Sequence, residues 1–273
     1  MSRGLGDVYK RQMQDIDKNI IKRIHEENLS DPVNERILIA ALICSLAKEF
    51  ANELVVVGGS AVEFYTAASY MTKDIDFIAK DDFQIAKIMT SLGFSIGEGY
   101  TWFHPDTSVV VEFPKPPLLG DVSRLTEVKT EYGVAEIIGV EDIILDRLKG
   151  REFWQDNNEL PEMMIYSHYD SIDFAYLRKQ AAFELISDVL EKAVADVEEY
   201  KAGRSPYLRN NFYSDKVVET KIVDALEYDV PMEKIIRRLS NDDQVKGIST
   251  DEKKSYLESI IKSSKEIQEI LSE

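Results

Sequence analysis

The stretch Leu54–Phe77, LVVVGGSAVEFYTAASYMTKDIDF, constrains the fold more than any other part of the chain. Its first four residues are apolar, mostly β-branched and uncharged, which is the composition of a central strand. Gly58 and Gly59 end that strand, and glycine permits both a positive φ and a close approach of backbone to ligand. Ser60 and Glu63 then have S-x-x-E spacing, which predicts a capping box opening a helix. A helix N-terminus offers unpaired N–H groups and a positive dipole end, both suited to phosphate oxygens. The same turn also reads as a plain strand-to-helix connection that binds nothing.

Asp74 and Asp76 follow, one residue apart in a second apolar run. Residues i and i+2 of a strand share a face, so both carboxylates are expected on one side, with Ile75 and Phe77 turned into the core. Two adjacent carboxylates repel unless a cation sits between them. Hard oxygen donors of this kind suit Mg2+ (or Mn2+), which also takes phosphate oxygens of a substrate. The alternative is a strand edge or turn carrying two solvated acids. Lys73 is expected on the face opposite Asp74, as a surface residue or a phosphate helper.

A third acid, Glu112, lies late in the β-prone run Val109–Phe113, which Pro114, Pro116 and Pro117 terminate. An unpaired charge in such a strand is costly, and a shared metal would remove the cost. Glu112 at the wet end of the strand is the other reading. A phosphate-cradling turn beside metal-ready carboxylates is what nucleotide transfer from a nucleoside triphosphate (NTP) requires.

Gly58-Gly59-Ser60, then Asp74-x-Asp76, then a single acid at Glu112, resembles in order and type the nucleotidyltransferase superfamily with the polymerase-β-type palm. The closer likeness is to its small prokaryotic branch, which includes toxin–antitoxin and abortive-infection members. Val140-Glu141-Asp142, Ile144-Leu145-Asp146-Arg147-Leu148, Trp154 and Asp156 are similar to the segment after the palm in one family of that branch, and the resemblance covers about residues 34–185. Glu112 stands where many members have Asp, and Lys73 where small or polar residues are common.

The resemblance implies a metal-dependent nucleotidyltransferase. In it Asp74, Asp76 and Glu112 are catalytic and metal-binding. Asp74 and Asp76 hold the metal at the triphosphate, and Glu112 helps hold a second metal or accepts the acceptor's proton. Gly58, Gly59 and Ser60 bind the terminal phosphates of the NTP, with the Ser60 hydroxyl as part of the clamp. The acceptor is an RNA end, a protein or a small molecule. The alternative is a catalytically inactive nucleotidyltransferase-like binding protein, for example one half of a toxin–antitoxin or phage-defence pair. A purely structural helical protein would account for neither Glu112 nor the order of turn and acids.

Composition narrows the partners. Thirty-three basic against 50 acidic residues give a net charge of −17, a surface that repels extended duplex nucleic acid at long range. A local basic patch is compatible with that charge: Lys234, Arg237 and Arg238 share one face of a helical stretch, and Arg204 and Arg209 precede it. The same residues also read as an ordinary solvated face. One cysteine, Cys44, excludes an internal disulfide and lies in an apolar helical pattern that reads as core. His25, His104 and His168 lack metal-ligand spacing. The longest apolar stretch, Ile37–Leu46, is far short of the roughly 20 residues that cross a bilayer. No secretory signal is visible, so a cytoplasmic location is expected.

The expected fold class is α+β: a small mixed sheet with flanking helices, followed by a helical C-terminal half. Residues 1–12 resemble the translated remnant of a sequencing-library adapter and are set aside, with Met13 as the expected natural start. Residues 13–165 are then the palm with its N-terminal helices, and 166–273 the helical domain. Helices are expected over Ile16–Glu27, from Asp31-Pro32 to about Ala51, over Asp82–Leu92 with Gly93 closing it, and over Glu141–Lys149. Tyr100–Phe103 and Ser108–Phe113 pattern as a hairpin, and Leu125–Thr130 and Gly133–Ile138 as two more strands. Pro114–Gly120 is expected to cross the rim of the site. Ile172, Tyr176, Phe183, Ile186, Leu190, Ala193 and Val197 follow one helical period up to Gly203. Further helices are expected over 215–228, 231–240 and 250–272.

Overall fold

The computed structural model describes residues 17, 19–50, 52–67, 69–79, 82–97, 101–156, 158–202, 228, 230, 231, 234 and 235. The adapter-like residues 1–12, Arg204, Arg209, Arg237 and Arg238 lie outside them, as does nearly all of the three helices expected after residue 214. The chain divides into two compact units, Met1–Ile143 and Ile144–Glu273. The division expected at 165/166 falls inside a helix, Leu160–His168. That helix packs on a later helix of the second unit and belongs to that unit.

The first unit is α+β, as its patterning predicts. Helix α1 (Ile20–Glu27) buries Ile21 and Ile24 and stops at Asn28, whose side-chain amide donates to the Ile24 carbonyl at 2.8 Å. Helix α2 (Pro32–Glu49) starts where expected. The Asp31 carboxylate accepts from the Asn34 N–H at 3.0 Å, and Pro32 occupies the first turn, where its missing N–H costs nothing. Residues Leu38 to Cys44 are buried without interruption, so α2 is enclosed around most of its circumference. It packs along β7, β1 and β6 of the sheet.

Seven strands form one mixed sheet in the order β3-β4-β5-β2-β1-β7-β6. They are β1 (Leu54–Val57), β2 (Asp74–Ala79), β3 (Ser95–Ile96), β4 (Trp102–Phe103), β5 (Val110–Glu112), β6 (Thr126–Thr130) and β7 (Gly133–Ile137). β1 runs antiparallel to β2 and parallel to β7, while β2 runs parallel to β5. The expected hairpin is present as β4–β5, and the two further strands expected after it pair antiparallel as β6–β7. β3 escaped sequence reading because two exposed residues at a sheet edge show no alternation. Helix α3 (Gly58–Tyr65) leaves β1 directly, and α4 (Asp82–Ser91) follows β2 and ends before Gly93, at φ +91°.

The second unit is helical among its described residues. The chain passes into it within α5 (Val140–Trp154) and continues through α6 (Leu160–His168), α7 (Phe174–Glu184) and α8 (Ser187–Lys201). The single helical period expected to reach Gly203 is in fact two helices. Leu185 takes a left-handed conformation, φ 60°, and its N–H and that of Ile186 return to Ala182 and Ala181 carbonyls at 3.1 and 2.9 Å. Leu185 and Ile186 are themselves buried, so the break is held by core packing and left no Gly or Pro to read. Met164 and Ile165 of α6, Leu177 and Ala181 of α7, and Leu190 and Ala193 of α8 are all fully buried. Lys234 Nζ pairs with Glu184 at 3.0 Å and lies over the Phe183 ring, so this residue of the expected basic face is spent within the unit.

Candidate functional site

Strand β2 does what its period requires. Ile75 and Phe77 are fully buried, and Asp74 and Asp76 project together from the other face, half-buried. The parallel pairing of β2 with β5 sets Asp74 opposite Val110 and Asp76 opposite Glu112. Neighbouring strands lie about 4.8 Å apart, so residues in register on one face become neighbours. On the opposite face Phe77 and Phe113 stack, centroids 5.7 Å apart and planes at 22°, which favours the same register. One carboxylate oxygen each from Asp74, Asp76 and Glu112 lies within 4.8 Å of the others.

The diglycine turn meets this cluster. Gly58 has φ +61°, and a Cβ there would overlap the Asp76 carboxylate. The Gly59 N–H donates to Asp76 Oδ2 at 3.3 Å. Glycine is therefore needed at position 58 on two grounds, conformation and space.

The expected capping box is absent. Helix α3 already begins at Gly58, with Val57 at the N-cap position and no side-chain cap. Ser60 is thus one turn too deep to cap, and its hydroxyl donates to the Asp74 carbonyl at 2.5 Å. That hydroxyl proton is engaged inside the protein, against the expectation that it clamps phosphate. Glu63 is 2% exposed and accepts from Arg36 of α2, at 2.7 Å from Nε and 2.5 Å from a terminal guanidinium nitrogen. A buried cation from a distant helix outcompetes the local capping geometry, because leaving Arg36 unpaired in the core would be far more costly than losing a cap.

Two threonines that sequence reading passed over touch the acids. The Thr72 hydroxyl donates to Asp74 Oδ1, and its backbone N–H donates to Glu63 Oε1 at 3.3 Å. The Thr101 hydroxyl donates to Glu112 Oε1 at 3.1 Å. Thr72 was legible in principle, since it precedes Asp74 by two residues as Asp74 precedes Asp76. Thr101 was not, because it reaches Glu112 only through the β4–β5 hairpin. Lys73 is exposed, and its carbonyl accepts from the Val110 N–H at 3.2 Å.

Three carboxylates at this separation repel one another, and a hard divalent cation is the group their donor atoms fit. Mg2+ or Mn2+ takes such all-oxygen sets; the absence of Cys and His from the cluster disfavours softer ions. The histidines lie elsewhere. His25 Nδ1 is 2.9 Å from Glu35 Oε1, and His104 is enclosed against Phe94. Cys44 is buried, with its thiol directed at the Leu54 carbonyl at 3.7 Å and its pKa pushed up to about 12 by burial. No helix among the described residues is long and apolar enough to cross a membrane. Comparison of the chain with protein families, with curated proteins and with solved structures finds no match in any of the three.

Proposed function

We propose that this chain is a metal-dependent nucleotidyltransferase of the polymerase-β palm type, moving a nucleoside monophosphate from an NTP to an acceptor hydroxyl. The observation that carries this reading is the meeting of Asp74, Asp76 and Glu112 at the mouth of the Gly58-Gly59 turn. Asp74, Asp76 and Glu112 would hold Mg2+ or Mn2+. When bound, the cation supplies neutralisation of the triphosphate charge and of the pyrophosphate that leaves.

The remaining roles belong to the chain. The Gly59 N–H at the start of α3 meets Asp76, and it would exchange that bond for one to a substrate phosphate oxygen. Gly58, lacking a Cβ, keeps that approach open. The Ser60 hydroxyl fixes the backbone of Asp74 rather than the phosphates. Glu112 would help hold a second cation beside the acceptor, or accept its hydroxyl proton as the new O–P bond forms and the bond from the α-phosphorus to the bridging oxygen breaks. The strongly acidic chain favours a protein, a small molecule or a short RNA end over a long duplex as acceptor.

The test is incubation with labelled NTPs, Mg2+ and a whole lysate, followed by fractionation of the label and assay of pyrophosphate. Label transfer that Asp74→Asn and Asp76→Asn abolish, at unchanged melting temperature, is the expected result. Full turnover by the doubly substituted chain refutes the mechanism. Tight nucleotide binding in calorimetry with no pyrophosphate released would favour the inactive binding protein instead.

A further inference from the structure

We infer that Thr72 is a positioning residue that sets the cation affinity of the acidic cluster by holding the Asp74 carboxylate, and that the buried Arg36–Glu63 pair holds Thr72 in turn. The inference rests on reading Asp74, Asp76 and Glu112 as a cation site. The contacts form one continuous path. Arg36 of α2 grips both oxygens of Glu63 on α3, and Glu63 Oε1 accepts the Thr72 N–H. The Thr72 hydroxyl then donates to Asp74 Oδ1. Arg36 and Glu63 side chains are 7% and 3% exposed, so this end of the path is fixed in the core.

The chemistry of each link has a reason. A carboxylate free to rotate spends entropy on every binding event, and a donor on one lone pair fixes it while leaving acceptor capacity for the metal. That donor must be uncharged, since a Lys or Arg placed directly on Asp74 would neutralise it and compete with the cation. Arg36 supplies rigidity from behind two intervening residues, Glu63 and Thr72, its charge already matched by Glu63. Gly59 makes room for the arrangement, because a Cβ there would lie 3.0 Å from Thr72 Oγ1. Glu112 and Asp76 are held in the same style, by the Thr101 hydroxyl and the Gly59 N–H.

The test measures Mn2+ binding to the whole chain by electron paramagnetic resonance, without nucleotide, alongside thermal melting in metal-free buffer. Thr72→Val keeps the shape and removes the donor. It is expected to weaken Mn2+ binding by about ten- to a hundredfold at an unchanged melting temperature. Thr72→Ser, which restores the hydroxyl, is expected to recover the affinity. Should Thr72→Val lose its melting transition, Thr72→Ala carries the same expectation. Equal Mn2+ affinity in the parent and in the folded hydroxyl-free variant overturns the inference, as does a parent chain that binds no Mn2+. Nucleotide transfer is not among the readouts. A parent that binds Mn2+ through Thr72 and transfers nothing would therefore sink the transferase reading alone.

Discussion

Gly58 leaves no room for a side chain beside Asp76: a Cβ there would overlap the carboxylate, and the backbone stands at φ +61°. Gly58→Ala is therefore expected to be penalised twice. The left-handed conformation alone costs an L-residue about 1–2 kcal/mol, and Asp76 must also move. A lower melting temperature together with lost Mn2+ binding is the expected result. Unchanged values of both would mean that the turn relaxes at no cost.

Arg36 and Glu63 form a buried ion pair between α2 and α3. Removing one partner strands the other in the core. Glu63→Ala or Arg36→Ala is expected to destabilise the fold by about 3–5 kcal/mol, whereas an apolar double replacement of similar volume is expected to recover much of the loss. Denaturant titration of the two single variants and the double variant gives the comparison. Additive losses would show that the pair is not coupled.

His104 is 7% exposed, and its Nδ1 accepts the Asp106 N–H at 3.1 Å, a role open only to the neutral ring. Burial holds its pKa below the ordinary value of 6.5, more than offsetting the nearby Asp106 charge and the Leu92 backbone contact, which act to raise it. The unfolded chain thus takes up this proton first. The stability contribution is complete above 6.5 and is lost as the pH falls through the lower folded value. Between about pH 7.5 and about pH 5.5 the parent should lose more stability than a His104→Asn variant, measured by denaturation midpoint. Parallel pH profiles would show that His104 plays no part in the pH dependence.

Cys44 is the one thiol, and burial raises its pKa to about 12. At about pH 8 almost no thiolate exists in the folded chain, and the sulfur is enclosed. Iodoacetamide should leave the native protein unmodified and label one site once denaturant is added, read by mass spectrometry. Rapid native labelling would show that α2 opens readily around this position.

Much of the candidate site was legible because its rules are local. Period two put Asp74 and Asp76 on one face, Gly58-Gly59 marked the end of β1, and Asp31-Pro32 marked the start of α2. The misreadings came where a local rule met a distant competitor. Ser60 and Glu63 had capping-box spacing, but Arg36 from another helix claimed Glu63, and the Asp74 carbonyl took the serine hydroxyl. Leu185 carries no mark of a helix break, and the packing of α7 and α8 supplies one.

The amino-acid order alone therefore determined most of the strands and the longer helices of the first unit, which way their side chains alternate, and that the chain is α+β. Such properties depend on neighbours within a few residues, where backbone geometry repeats. The parallel pairing that lays Glu112 beside Asp76, and the threonine and arginine contacts behind the acids, were decided only by the tertiary structure. Strand partners and buried ion pairs are chosen by the free energy of the whole core, to which residues dozens of positions apart contribute on equal terms.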